Sequence, residues 1–192
     1  KVPFVFDNEK WGHVVEIAPF KMANTPVTNE QYQKFVDDGG YDRQDLWSKE
    51  GWLWKEREGA QHPWYWVSGP NGTWQYRYFD TVVPLEPHHP IIHITWYEAS
   101  AYCAWAGRRL PTEAEWEMAA SIVPSSDGES ITTEKRIYPW GDAAPTAQHA
   151  NMDSMALGCV DVRALGAGDS AFGMRQMMGN VWEWCSDAFG PY

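Results

Sequence analysis

Basic residues are scarce: 15 Lys and Arg stand against 26 Asp and Glu, a formal net charge of -11 over 192 residues. No cationic stripe runs along the chain, which argues against a nucleic-acid partner. Long apolar runs are missing too; none approaches the roughly 18 residues needed to span a membrane. The opening Lys1-Val2-Pro3 has neither a secretory leader's pattern nor an initiating Met. There are only three cysteines, Cys103, Cys159 and Cys185, which do not make a disulfide framework. A reducing, cytoplasmic location is the expectation. Catalytic signatures are also lacking: there is no Gly-rich phosphate loop, no Ser-His-Asp set and no Cys-x-x-Cys.

Tryptophan, by contrast, is abundant. Thirteen Trp, with aromatics at 15% of the chain, exceed what one small core can hold. Several must therefore lie half exposed with their indole N–H bonded, or line a cleft. The length suits one domain with a substantial core, or part of a larger protein.

Three helix starts share one device. Thr28 with Gln31, Thr95 with Glu98, and Thr112 with Glu115 each fit the capping box, in which a Thr hydroxyl and a side chain three residues on satisfy each other's free amides. The first helix is expected from Asn29 to Asp38, stopped by Gly39-Gly40. The second runs from Trp96 to Ala106 with Gly107 as its stop. The third begins at Glu113 after Pro111. Val14 to Phe20 has strand character. Val67 to Trp74 reads as a hairpin turning at Asn71-Gly72. Ser121 to Arg136 is polar and Ser/Thr-rich, and is expected to be a surface insertion, ordered or disordered. The fold class is α+β with a large irregular fraction.

Candidate site residues are few. His88, His89 and His93 lie near Pro87 and Pro90, without a helix to set ligand spacing, so they read as loop residues. Glu113 and Glu115 fall in a first helical turn, where negative charge suits the helix dipole. Arg108 and Arg109 read as structural partners for nearby acids. Asn151 and Asp153 stand in a short polar loop of the kind that offers oxygens to calcium. Gln176, Gly179, Val181 and Glu183 form a second oxygen-bearing cluster through the Gly179-Asn180 turn.

Four ordered motifs carry a resemblance. They are Pro26-Val27-Thr28-Asn29, Trp105 to Glu117 (containing Arg109-Leu110-Pro111-Thr112-Glu113-Ala114-Glu115-Trp116-Glu117), Tyr138-Pro139-Trp140-Gly141-Asp142, and Gly179-Asn180-Val181-Trp182-Glu183-Trp184. On these the chain resembles the formylglycine-generating-enzyme-like (sulfatase-modifying factor) family over residues 1–192, with 121–136 the main unmatched stretch. The resemblance implies a variant of the C-type lectin fold, incomplete at its C-terminus. Phe6-Asp7-Asn8-Glu9, Asp38-Gly39-Gly40-Tyr41 and Gly168-Asp169-Ser170-Ala171-Phe172-Gly173 are similar to the ergothioneine-type sulfoxide synthases. His62-Pro63-Trp64-Tyr65-Trp66 and Arg77-Tyr78-Phe79-Asp80 are similar to the related selenoneine synthases.

That resemblance implies an oxidoreductase in which non-haem iron(II), O2, N-trimethylated histidine and a thiol or selenium donor meet to form a C–S or C–Se bond. It places the iron ligands in an N-terminal four-helix domain with a His-x3-His-x-Glu pattern, absent here. It places the donor-binding residues in a C-terminal segment after Trp184. The chain alone is therefore expected to be inactive, with its catalytic residues unknown. The resemblance also maps calcium ligands onto Asn151, Met152, Gln176, Gly179, Val181 and Glu183. Two other functions fit the family: a non-catalytic lectin-like binding module, and a formylglycine-generating thiol oxidase.

Overall fold

The computed structural model describes residues 12–127, 130–153 and 156–190. Phe6-Asp7-Asn8-Glu9 lies outside the described residues. The elements in order are α1 (Asn29–Asp37), α2 (Lys49–Glu58), β1 (Trp66–Ser68), β2 (Trp74–Tyr78), β3 (Thr81–Pro84), α3 (Trp96–Trp105), α4 (Glu113–Ser121), β4 (Ile122–Pro124) and β5 (Ile131–Lys135). The architecture is α+β. Strands β1, β2 and β3 form one antiparallel meander, and β4 pairs with β5 in a separate ribbon.

Helices α1, α3 and α4 start where their Thr caps predict. Each Thr hydroxyl accepts the amide three residues on, and each partner side chain accepts the Thr amide: 2.9 Å from Thr28, 2.7 Å from Thr95 and 2.8 Å from Thr112. Helix α1 ends in a Schellman turn, with Gly40 N–H donating to Phe35 O (2.9 Å) and Gly39 N–H to Val36 O (3.0 Å). Gly39 sits at φ +73°, a conformation that glycine adopts without Cβ strain. Gly40 serves another purpose, since a Cβ there would fall 2.0 Å from Phe35 Cε2.

The hairpin turns at the expected Asn71-Gly72, with both residues at positive φ (57° and 73°). It continues into a third strand that the reading of the sequence did not include. Helix α2 was also unforeseen. Gly51, Trp52 and Trp54 blur its apolar stripe, and its cap is a single Ser48 hydroxyl accepting from Gly51 N–H at 3.0 Å. One expectation is corrected: Val14 to Phe20 carries no strand. The described part of 121–136 is ordered, a β-ribbon with Ile122 facing Lys135 and Pro124 facing Ile131, its β4 half-buried and its β5 mostly exposed.

The main core is aromatic. Tyr32, Phe35, Tyr41, Trp47, Trp66, Ala101 and Tyr102 are buried together where α1 meets α3. Tyr32 stacks on Tyr102 with centroids 5.3 Å apart, and Phe35 meets both edge-on. Such pairs add about 1 kcal/mol each beyond area burial. A smaller cluster packs Ala119 and Ala120 of α4 against Met174 and Met177. Surplus tryptophans behave as the composition requires: Trp74, Trp96, Trp105, Trp116, Trp140 and Trp184 each donate their indole N–H to a carbonyl or carboxylate.

The two adjacent glycines separate two physical costs. Gly40→Ala should destabilise the chain by about 3 kcal/mol through overpacking against Phe35. Gly39→Ala, which meets open space, should cost about 1 kcal/mol of backbone strain. Urea midpoints of the two variants give the comparison; equal losses would mean that Phe35 yields freely.

Candidate functional site

The two longest family motifs meet in space. Residues 183–187 lie along the starts of α3 and α4 and are tied there by five hydrogen bonds. Trp116 Nε1 donates to Glu183 Oε2 (2.5 Å), Trp184 Nε1 to Ile94 O (3.2 Å), Trp96 Nε1 to Cys185 O (2.9 Å), Ser186 N–H to Pro111 O (2.7 Å) and Glu113 N–H to Asp187 Oδ2 (2.7 Å). Asp187 thus takes an amide from the first turn of α4, a helix end that favours negative charge.

Charge is handled structurally here. Glu115 accepts from both terminal guanidinium nitrogens of Arg109 (2.7 and 2.6 Å) as well as from the Thr112 amide. The Arg109 hydrogen bonds hold its carboxyl at a pKa of about 2. A carboxylate so tightly held has no proton to give at neutral pH, so general acid chemistry by Glu115 is excluded. Burial pushes Glu183 the opposite way, above the usual carboxylate range. The Cys185 thiol is pushed up to about 11 by burial and by the carboxylates of Glu113, Asp187 and Glu183. Burial also raises Cys103 and Cys159. All three cysteines are free and half-buried, and none is poised as a thiolate nucleophile.

The six expected ion ligands fall into two groups. Asn151, Gln176 and Gly179 converge on Asn180, a residue that the reading of ligand spacing passed over. Asn180 Oδ1 accepts from Val160 N–H (2.9 Å) and Asn151 Nδ2 (3.2 Å); its Nδ2 donates to Gln176 Oε1 (2.5 Å) and Val160 O (3.2 Å). Gly179 lies at φ 79°, and a Cβ there would stand 2.7 Å from Asn151 O. Met152 packs beside that glycine. Glu183 is bonded to Trp116 instead. Several oxygens expected to bind calcium already accept N–H donors: Asn151 Oδ1 from Ala156, Asn151 O from Asn180, Gln176 Oε1 from Asn180 and Gly179 O from Val181. Calcium takes six to eight oxygens, and a carbonyl that accepts one N–H keeps a second lone pair for such an ion. Among the described residues, no group of three His, Cys, Asp or Glu side chains is placed to hold a metal ion, so iron has no ligand set there. The signal that marked Asn180 was backbone conformation: it follows a glycine and adopts φ 63°, which Asn tolerates better than most residues.

His93 is a packed loop residue, its ring 4.9 Å from that of Tyr65, and burial lowers its pKa. His88 contributes its carbonyl to Val162 N–H at 3.0 Å. His89 lines a pocket between the meander and the 156–159 loop. No described helix is long and apolar enough to cross a membrane.

A family model described as Sulfatase-modifying factor enzyme 1-like domain matches residues 3–192, and the chain belongs to that family. Its relatives include the hercynine oxygenase of Mycolicibacterium thermoresistibile, 44% identical over 190 residues, which cover 99% of this chain and 40% of the relative. The hercynine oxygenase of Mycobacterium tuberculosis is 42% identical over 190 residues, covering 99% of this chain and 43% of its own length. The formylglycine-generating enzyme of Bos taurus is 32% identical over 204 residues, covering 94% of this chain and 52% of that protein. The chain therefore spans less than half the length of the hercynine oxygenases it matches.

Two outcomes follow from this geometry. Asn180→Ala removes four hydrogen bonds at a positive-φ position and should cost about 3 kcal/mol, read from the urea midpoint at unchanged slope. For Glu115, the folded pKa of about 2 lies below the ordinary 4.5, so its contribution is complete above 4.5 and is lost as pH falls towards 2. In Glu115→Gln that acid-side decline should flatten; an unchanged pH profile would remove Glu115 from the account.

Proposed function

We propose that this chain is the sulfatase-modifying-factor-like part of a hercynine-oxidising enzyme. The observation that carries the reading is a step in similarity. The hercynine oxygenases are 41–44% identical over 99% of the chain, whereas the formylglycine-generating enzymes are 30–32% identical. The reaction we infer uses O2 to join sulfur or selenium to the imidazole ring of N-trimethylated histidine, as in ergothioneine or selenoneine formation. The chemistry that iron(II) would supply is activation of O2 beside a soft sulfur or selenium donor. Its ligands lie, on this reading, in an N-terminal helical domain outside these residues, and the residues that bind the donor in a segment after Trp184.

What this chain contributes is position. The five hydrogen bonds to residues 183–187 fix where the polypeptide leaves the starts of α3 and α4. The Asn180 network fixes the turn just before it. A side chain brought to the site from beyond Phe189 would inherit its placement from these anchors. Exposed Trp182 and Phe189 are consistent with further protein packing there, on a lectin-like fold completed by it. The three free cysteines suit a reducing cytoplasm.

The test is oxygen uptake by the full gene product supplied with hercynine, iron(II) and a thiol or selenium donor. Hercynine-dependent uptake with a sulfur- or selenium-bearing imidazole product is expected, and none from these 192 residues alone. Uptake indifferent to hercynine, or turnover of a cysteine-containing peptide in its place, would contradict the reading.

A further inference from the structure

The aromatic core has a connectivity that packing alone does not require. Trp96, whose indole is bonded to Cys185 O, meets Tyr97 at 5.9 Å between ring centroids. Tyr97 meets Trp54 at 6.1 Å, Trp54 stacks on Trp47 at 6.5 Å, and Trp47 meets Tyr41 at 5.4 Å. Tyr41 Oη lies 3.3 Å from Tyr32 Oη, and Tyr32 stacks on Tyr102, which meets Trp105 at 5.8 Å. A branch leaves Tyr32 for Trp66 at 6.2 Å, and Trp66 meets Trp74 at 5.5 Å. Rings at such centroid separations are in contact, so an electron crosses from one to the next over a very short gap. Every ring on both routes is Trp or Tyr, the aromatic side chains that most readily give up an electron. The two ends, Trp96 and Trp105, stand at opposite ends of α3, about 14 Å apart along its axis.

Proton acceptors stand where an oxidised ring needs them. A Trp or Tyr that loses an electron becomes strongly acidic, and it settles as a neutral radical only if its N–H or O–H proton can leave. Midway along the route, Tyr41 Oη donates to Glu98 Oε1 at 2.6 Å. Burial raises that carboxyl above its ordinary range, which makes it a readier proton acceptor. At the two far ends the acceptors are exposed. Trp105 Nε1 donates to Asp38 Oδ2 at 2.7 Å, and Trp74 Nε1 to Asp37 Oδ1 at 3.0 Å. Both aspartates stand at the C-terminus of α1, where the helix dipole disfavours negative charge. Helix stability therefore does not account for the pair, although Arg43 approaches Asp38 at 3.7 Å.

We propose that these rings carry oxidising equivalents from the 183–187 segment to the surface at the end of α1. A one-electron oxidant at the 183–187 end takes an electron from Trp96, and each ring is refilled by the next. Tyr41 passes its proton to Glu98 when it is oxidised and recovers it when it is refilled. At the exit Trp105 or Trp74 loses the electron, and its Nε1 proton goes to Asp38 or Asp37 and on to water. A soluble thiol then restores the indole by giving up one electron and one proton, and two thiyl radicals so formed pair as a disulfide. The net change is one electron moved from a thiol to the oxidant, with one proton released. Such a route protects residues 183–187 when an oxidant derived from O2 goes unused. Only the origin of that oxidant rests on the proposed hercynine reaction; conduction through the rings does not.

The test supplies the oxidant by light. A ruthenium(II) polypyridyl photosensitiser is fixed to the full gene product through an azido amino acid in place of the exposed Ser186. It is flashed with a cobalt(III) ammine as electron acceptor. Oxidation of the Trp105 and Trp74 indoles is read by peptide mass spectrometry, with fully exposed Trp182, which lies off the route, as the control. Trp54→Phe keeps an aromatic ring but one too hard to oxidise. Trp54→Tyr differs from it by one hydroxyl and provides an oxidisable ring again. Oxidation of Trp105 and Trp74 is expected in the parent, lost in Trp54→Phe and recovered in Trp54→Tyr, with Trp182 the same in all three. Equal oxidation of Trp105 and Trp74 in the two Trp54 variants, whether kept or lost, would overturn the proposal. So would a parent in which neither indole is oxidised. Oxygen uptake indifferent to hercynine would leave these outcomes unchanged, so the two readings fail separately.

Discussion

The Glu98 carboxylate is the point on which the fold depends. It is buried to 2% exposure and performs two tasks at once. One oxygen, Oε2, takes the Thr95 amide at 2.7 Å and the Thr95 hydroxyl at 2.9 Å, which fixes the first turn of α3. The other, Oε1, takes the Tyr41 hydroxyl at 2.6 Å, and Tyr41 Oη in turn lies 3.3 Å from Tyr32 Oη. A helix cap and an aromatic core are therefore joined through a single side chain. Burial raises the Glu98 pKa, while its hydrogen bonds pull in the opposite direction. An unpaired carboxylate at this depth would be strongly unfavourable, so the donors around it are requirements of the fold.

From that anchor the rest of the molecule can be traced. Thr95 sets the start of α3, and Ile94 just before it accepts the Trp184 indole. Residues 183–187 then run to the start of α4, where Glu115 repeats the cap with Arg109 as an external partner. The stretches 105–117 and 179–184 are thus held to each other, by Trp116 on Glu183 and by the adjoining bonds from Ser186 to Pro111 and from Glu113 to Asp187.

The legible parts of the fold were those with a short-range cause. Capping boxes at Thr28, Thr95 and Thr112 need only four residues, and the turn at Asn71-Gly72 needs two. Helix α2 was hidden because its buried positions are Gly51 and Lys55 while Leu53 is exposed, so no apolar stripe marks it. The β4–β5 ribbon was hidden because a solvated two-stranded ribbon and a disordered linker share the same polar composition. The candidate site was only half legible. Asn151, Gln176 and Gly179 were recognised as belonging to polar turns, but that they meet through Asn180 depends on a separation of 29 residues between Asn151 and Asn180 that no local pattern encodes. The pocket beside the meander was illegible for the same reason, since residues 66–92 meet the distant 156–159 loop there.

The most direct test of this account is a double-mutant cycle on Tyr41→Phe and Glu98→Gln, read from urea midpoints. If the buried carboxylate ties the helix cap to the aromatic core, the two substitutions should couple by about 2 kcal/mol, as expected for a hydrogen bond to a charged group. Additive losses would mean that the cap and the core are independent, and would contradict the central claim.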